Sequence, residues 1–362
     1  MNYKHIFDFS FWLNSGVGKL RTGYENVFNS YNPFSVKASY RTATDNILKG
    51  SSISISGKYL DGLVAGQAGF EVKTRKQNTV FYSYLKTLYR PDTTDLYYLI
   101  YQKDWLAKSW NTTLNIGLTH TYTYINGNGR INLHMRSSAV GSDYDYSQLS
   151  MEAVNRNVLG KFNFNTRVFA QLGTGANLAP ESALFLAGGN PEMMMDNKYV
   201  RSAAFAPQDW NGFGATTNHF QYGGGLNLRG YTGYLVPFKT KEGTVIPVYS
   251  GNSGAAVNAE LEFDRLFPIR PRFTRNWLKI NTYLFGDAGI ISANLPGKAL
   301  LFAEPRADAG LGIAVTIKKW GPLAMEQPLT IRFDMPFLLT RTPDISPDYL
   351  QFRWIVAVNR AF

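Results

Sequence analysis

The sequence predicts an all-β protein, a transmembrane antiparallel β-barrel of about 16 strands with a long extracellular loop folded into its lumen. Three observations predict it. Apolar and polar residues alternate with period two in segment after segment, each bounded by Gly, Asn, Asp or Pro, which is the pattern of half-buried strands. No run of 18 apolar residues occurs, so the chain holds no candidate membrane-spanning helix. Aromatics reach 15%, led by 24 Phe and 22 Tyr, and stand beside 33 Gly, a composition that suits a barrel with one lipid-facing side, one wet side, aromatic girdles and many turns. A large soluble β-protein would share the alternation and the turns.

The strands follow in order. Ile6, Asp8 and Ser10 oppose Phe7, Phe9 and Phe11; Val36, Ala38 and Tyr40 alternate with Lys37, Ser39 and Arg41; Ile53 and Ile55 alternate with serines. Leu63 to Thr74, Val80 to Tyr89 and Leu96 to Gln102 read as three more. Leu114, Ile116 and Leu118 begin a run that continues through Tyr122 and Tyr124 to Asn126-Gly127-Asn128-Gly129, a hairpin signal. Ile131 to Ser137, Tyr146 to Asn155 and Lys161 to Leu172 come next, the last with a period-two stripe at Phe162, Phe164, Thr166 and Val168. Strands return at Ala255 to Phe267, Trp277 to Ser292, Asp308 to Lys318, Leu329 to Leu339 and Gln351 to Phe362. In the final one, Phe352, Trp354, Val356, Val358 and Phe362 share one face. Spread over the whole chain, this is roughly 22 residues per strand with its loop, against the ~9–11 that a membrane strand needs. An even strand number places both ends on the periplasmic side. The chain reads as one barrel domain over 1–362, with residues 174–254 as its long loop region.

That loop interrupts the strand pattern from Gly173 to about Gly225, and a second irregular stretch runs from Tyr231 to Gly254. Loops of this length inside compact domains tend to be functional. Glu181 to Leu186 and Glu192 to Lys198 read as short helical turns, and Met193-Met194-Met195 as packing within a folded loop. Trp210 and Phe213 add aromatic character. Between the two stretches lies Gly223-Gly224-Gly225-Leu226-Asn227-Leu228-Arg229-Gly230-Tyr231. Its glycines permit close backbone approach and φ > 0. Arg229 stands alone as a charge there, and a packed guanidinium needs a partner. Glu262 and Asp287 are the candidate carboxylates.

The formal charge is +11, but Lys and Arg are scattered, with no basic helix or clustered patch, so nucleic acid is not an expected partner. Lumen walls and anionic lipid head groups are other uses for them. The four histidines, His5, His120, His134 and His219, lack metal-ligand spacing. Gly251-Asn252-Ser253-Gly254 is not a nucleophile elbow, and Gly16-Val17-Gly18-Lys19 lacks phosphate-loop spacing. No catalytic residue, metal or organic cofactor is assigned. No apolar leader opens the chain, so a barrel of this kind would be a mature fragment. The absence of Cys fits an oxidising compartment.

The second half, about Gly223 to Phe362, resembles the BamA, TamA and FhaC superfamily of outer-membrane barrels, the bacterial surface antigen family. The motifs come in the family's order. Leu228-Arg229-Gly230-Tyr231 is similar to its Val-Arg-Gly-Phe/Tyr loop tip. Glu260-Leu261-Glu262-Phe263 with Phe267-Pro268 resembles the next strand, and Phe285-Gly286-Asp287-Ala288-Gly289 the Phe-x-Asp-x-Gly strand. Gly310-Leu311-Gly312 and Trp320-Gly321-Pro322-Leu323 fit the strand and turn after it, and Phe352 to Phe362 the terminal strand that assembly machinery reads. The resemblance implies a structural lumen lock of Arg229, Gly230, Tyr231, Glu262, Asp287 and Gly289, with Arg229 paired to Glu262 and Asp287. It implies an assembly signal and seam at Phe352, Trp354, Val356, Val358 and Phe362, the seam facing Ile6 to Leu13.

It further implies an integral outer-membrane protein acting in protein insertion or translocation, not an enzyme. Its partners would be outer-membrane lipid or lipopolysaccharide and client or partner outer-membrane proteins. Periplasmic partners are added if an N-terminal module exists. The family's periplasmic POTRA domains have no counterpart in the sequence, where the barrel pattern starts by Ile6. A barrel that anchors or exports a fused N-terminal domain, such as a peptidase, and a plugged passive pore are the alternative functions. The loop style, with Ala187-Gly188-Gly189-Asn190-Pro191-Glu192, looks like Bacteroidota members of the family.

Overall fold

In a computed structural model of the chain, the period-two segments are strands of one large sheet. The structure describes residues 4–13, 34–43, 48–60, 63–74, 78–91, 102–196, 219–239, 243, 245–266, 277–293, 301–318, 329–343 and 348–362. Trp210, Phe213, Phe267-Pro268, Trp320 to Leu323, Gly16 to Lys19 and nearly all of Leu96 to Gln102 lie outside them.

Nine long strands come first: β1 (Lys4–Leu13), β2 (Phe34–Ala43), β3 (Leu48–Leu60), β4 (Leu63–Thr74), β5 (Thr79–Tyr89), β6 (Trp110–Tyr124), β7 (Gly127–Ser138), β8 (Asp145–Leu159) and β9 (Phe162–Asn177). The loop region then holds only short pieces. They are β10 (Leu184–Phe185), helix α1 (Pro191–Asp196), β11 (Phe220–Gln221), β12 (Pro237–Lys239), β13 (Val245–Pro247) and β14 (Ser250–Gly251). The chain returns to the sheet with β15 (Gly254–Glu262), β16 (Leu278–Ala293), β17 (Leu301–Phe302), β18 (Arg306–Ile317), β19 (Leu329–Leu339) and β20 (Ile355–Val358).

The sheet has 16 strands, in the order β1 to β9, then β15, β16, β18, β19, β20 and β11, with β17 beside β16. The strands from β1 to β6 and from β15 to β20 pair antiparallel, and β11 runs parallel to β20. Its path runs from β1 to β11, and no pairing among the described residues closes it. The all-β antiparallel architecture is the expected one. The two-residue strands β11 and β17 were not expected.

Three boundaries differ from the sequence reading. The strand expected to reach Phe267 ends at Glu262, where residues 264–266 turn. The strand expected over Gln351 to Phe362 shrinks to Ile355–Val358. Asn359 has φ of 73°, a left-handed conformation that ends the pleat. Glu181 to Leu186 is not a helical turn throughout: Pro180–Ser182 forms a 3₁₀ turn and Leu184–Phe185 pairs with β14.

The chain divides into two compact units. The first contains Met1–Tyr122, Arg130–Glu152 and Gln171–Ser182. Its strands carry exposed Phe70, Phe81, Leu85 and Ile116, while Asn111, Thr113, Asn115 and Gln148 are buried. The buried side is bonded within itself: Asn111 donates to Glu181 at 2.6 Å and accepts from the Tyr146 hydroxyl at 3.0 Å. The second unit contains Thr123–Gly129, Ala153–Ala170 and Ala183–Phe362. It repeats the arrangement. Val168, Val257, Leu284, Ile331 and Leu338 are exposed, while Arg167, Asn258, Glu260, Asp287, Arg332 and Asp334 are buried. Each sheet face is therefore the inverse of a soluble protein's, apolar outside and charged within. The apolar core of this unit is made largely by the loop itself, with Leu184, Leu186, Leu226, Leu228, Tyr231, Val236 and Val248 packed on Ala256, Ile291 and Leu339.

Candidate functional site

The glycine-rich stretch crosses the polar face of the second unit and delivers one cation to it. Gly225 has φ of 53°, and a Cβ there would sit 2.4 Å from the Phe185 carbonyl oxygen, so only glycine allows this close pass. Leu226 and Leu228 then donate their amides to the Phe185 and Leu186 carbonyls, which ties the segment beside β10. Their side chains are fully buried in the apolar cluster. The intervening Asn227, at φ of 58°, points to the polar side and donates to the Ala361 carbonyl.

Arg229 begins a single 3₁₀ turn, Arg229–Tyr231, closed by the Thr232 amide and hydroxyl on the Arg229 carbonyl. Its side chain is fully buried. Nε lies 2.7 Å from Asp287 Oδ2 and Nη2 lies 3.0 Å from Oδ1, a bidentate fork. Nη1 donates to Glu260 at 2.8 Å and stands 3.8 Å from Asp334. The Phe285 ring lies beneath the guanidinium, 3.8 Å from Cζ. Burial works against the charge, but Asp287, Asp334 and Glu260 outweigh it and hold the Arg229 pKa well above its usual value. The group stays a cation at any accessible pH.

The sheet register explains why these carboxylates meet. Asn258 is opposite Asp287, and Glu260 is opposite Phe285, so Asp287 and Glu260 are diagonal neighbours on one face. Asn258 also donates to Asp287 Oδ1 at 3.0 Å. Asp308 is directly across from Asp287 on the next strand. Gly230 fits against it: a Cβ there would lie 2.7 Å from Asp308 Cβ and 2.4 Å from Leu339 Cδ2. Tyr231 donates to the Arg341 carbonyl at 3.0 Å, and burial raises its phenol pKa. Gly289 leaves space for Leu228, whose Cδ1 would be 2.9 Å from an added Cβ.

One expected pairing is corrected. Arg229 meets Glu260, not Glu262. The two glutamates share the inward face, since side chains two apart on a strand do. But Glu262 is opposite Tyr283, a further step from Asp287, and roughly 6–7 Å along the strand from Glu260. There it accepts from Asn163 at 3.0 Å, Asn165 at 3.1 Å and Asn281 at 3.1 Å, and pairs with Arg360. Arg360 also pairs with Glu260 at 2.8 Å, so it links the two glutamates near the C-terminus. Arg332 and Asp334, paired at 3.2 Å, were missed along with Glu260 and Arg360. For Glu260, Arg332 and Asp334 the signal was present: Glu260-x-Glu262 and Arg332-x-Asp334 are charges at period two in strands with apolar outward neighbours.

The C-terminal residues are spread differently. Phe352 is exposed, whereas Trp354, Val356, Val358 and Phe362 are half-buried and Arg353 is buried. Trp354 stacks on His219 with centroids 3.8 Å apart. The Phe362 carbonyl accepts from Arg156 at 3.3 Å. Val356 is paired with Phe220 of the loop. No cluster of three or more metal-ligating side chains occurs among the described residues.

No family model and no curated protein matches the chain. Among solved structures, it is similar to BamA from Haemophilus ducreyi lacking POTRA domains 1–3, with 16% identity and a TM-score of 0.46 over 90% of this chain and 62% of that one. It is similar to CdiB from Escherichia coli, with 14% identity and a TM-score of 0.45 over 90% of this chain and 49% of that one. Pseudomonas aeruginosa OccK10 (OpdN) matches at 9% identity and a TM-score of 0.28, over 99% and 97% of the two chains. The chain thus spans less than two thirds of the first two structures.

Proposed function

We propose that the chain is an integral outer-membrane β-barrel of the BamA-like superfamily, with residues 1–362 as one barrel and 174–254 as its loop region, acting in protein insertion or translocation at the bacterial outer membrane. The observation that carries the reading is Arg229, brought by a loop tip and buried among Asp287, Glu260 and Asp334 on a sheet face whose reverse is exposed and apolar. A soluble protein rarely leaves so much apolar strand surface to water, whereas lipid covers it at no cost. The loop would fill the lumen, which disfavours a wide passive pore. Catalysis forms no part of this reading. Lipid or lipopolysaccharide and client outer-membrane proteins are the proposed partners, with periplasmic partners if a further module is attached.

The test is reconstitution. Purified protein in lipid vesicles is mixed with a small, urea-unfolded outer-membrane protein, and folding of that client is followed by gel mobility before and after heating. Several-fold acceleration over empty vesicles is expected, lost in Arg229→Ala. Wild-type protein that folds into the vesicles and leaves the client rate unchanged would overturn the assembly role. A barrel found attached to an enzyme domain in its native membrane would then favour the anchor.

A further inference from the structure

The apolar face of the second unit is hollowed near the end of the strands that carries the long loop. Register builds the floor. Val257, Ala288 and Ala307 are directly opposite one another on β15, β16 and β18, and Thr340 extends the row through three bonds to the Ala307 backbone. Each of the first three is next in sequence to a buried inward residue, Asn258, Asp287 or Asp308, so the row faces outward. Alanine is short, which recesses the wall between exposed Val168 of β9 and exposed Tyr349 beyond β19. The hollow measures about 830 Å³, within the range of small-molecule sites. Two cations, Arg306 and Arg341, line the same space. Arg341 is exposed and pairs with the equally exposed Glu304, a contact of small worth. Arg306 is only 7% exposed. Its guanidinium lies over the Tyr231 ring, 5.5 Å from the centroid, and Nη1 donates to the Thr342 carbonyl at 3.4 Å. Its Nε has no hydrogen-bond partner, and no carboxylate among the described residues pairs with it. A buried guanidinium without a counter-ion is costly. Two arginines and one glutamate leave a positive charge uncompensated at the edge of an apolar hollow.

We propose that this hollow binds one phosphate-bearing lipid of the outer leaflet, its phosphate on Arg306 and Arg341 and an acyl chain along the alanine row. Charge selects the headgroup, because a guanidinium presents paired donors that match phosphate oxygens. Surroundings select a lipid over free phosphate. The hollow is continuous with exposed Val257, Leu284 and Leu338, the surface that lipid covers. Depth agrees. Arg306 begins β18 and Arg341 follows the end of β19, at the loop end of both strands, while Val257 and Ala288 lie further in. A lipid with its headgroup at the loop end and its chains toward the strand centres has this order. The phosphate would take the place of Glu304 on Arg341, and an exposed pair is readily exchanged. The site rests on the outer-membrane reading above and is independent of insertion or translocation.

Native mass spectrometry of retained lipid tests it. The protein is folded into phosphatidylcholine vesicles and extracted in a mild detergent. It is then titrated with a phosphorylated glucosamine disaccharide lipid, or with the same lipid stripped of phosphate. One phosphorylated lipid per chain is expected, bound roughly tenfold more tightly than the stripped one. Equal affinities, or no saturable binding, would overturn the site. Arg341→Gln, at an exposed position, should weaken the phosphorylated lipid several-fold and leave the stripped one unchanged, and Arg306→Gln should weaken it further. Ala288→Phe, on the exposed side of β16, should fill the floor and weaken both lipids. Lys279→Gln, at the other end of β16, should change neither. Wild-type affinity in Arg341→Gln and Ala288→Phe alike would overturn the location. Inorganic phosphate in large excess should leave the lipid bound; its displacement by phosphate alone would reveal a free-anion site and overturn the acyl half. Protein that never enters the vesicles would overturn the membrane reading and this site with it. Protein that enters them and treats the two lipids alike would overturn this site alone.

Discussion

Arg229 and Gln221 reach from the same loop into the same polar face, and they attach it by different physics. Arg229 is a fully buried cation with both oxygens of Asp287, one of Glu260 and the Phe285 ring around it. Gln221 is neutral, and the strand it sits in is two residues long. Removing the cation strands several buried carboxylates, whereas removing Gln221 leaves the Arg332 guanidinium its ion pair with Asp334, so the first is far more costly. The loop is therefore held more firmly at its tip than a few residues earlier. The difference shows that depth of burial alone does not measure attachment, since both side chains are almost wholly buried. What they leave behind when removed does.

Arg229→Ala should break the comparison most sharply. It leaves Asp287 and Glu260 buried without their cation, and a loss of about 3–5 kcal/mol is expected in urea unfolding monitored by gel mobility. Arg229→Lys keeps the charge but loses the fork on Asp287, and should recover only part of that. Gly230→Ala comes next. Its Cβ would overlap Leu339 and Asp308, and overpacking of this kind costs about 1–3 kcal/mol.

The two glutamates then sharpen the assignment. Glu260→Gln should destabilise the loop tip by about 1–3 kcal/mol, while Glu262→Gln should act on Arg360 and leave protease protection of the tip unchanged. Equal loosening of the tip by both would contradict the geometry around Arg229. His219→Ala is the smallest change. Losing the stack on Trp354 should cost about 0.5–1.5 kcal/mol and raise hydrogen exchange at Val356 without affecting the Arg229 region.

Much of this was legible in the residues. Strand alternation was readable because the faces differ so strongly in polarity: Val257, Ala259 and Leu261 outside, Asn258, Glu260 and Glu262 inside. The need of Arg229 for a buried carboxylate was readable from its isolation among glycines and leucines. The choice of Glu260 over Glu262 was not, because both lie on the inward face. Only the register, Asn258 against Asp287, sets which one is within reach. The links from Arg360 to Glu260 and from Arg332 to Gln221 were equally opaque, since they join residues 100 and 111 apart.

The sequence by itself determined the all-β class, the strand faces and the glycine-rich stretch that carries a single cation, because each follows from local period, local glycine and local charge. Tertiary structure decided which carboxylates meet that cation and what lies on the outer edge of the last strand. Those outcomes depend on register between strands and on where a long loop comes back to the sheet. No local pattern encodes either one, since His219–Gln221 is an unremarkable stretch until Val356 and Ala357 are beside it.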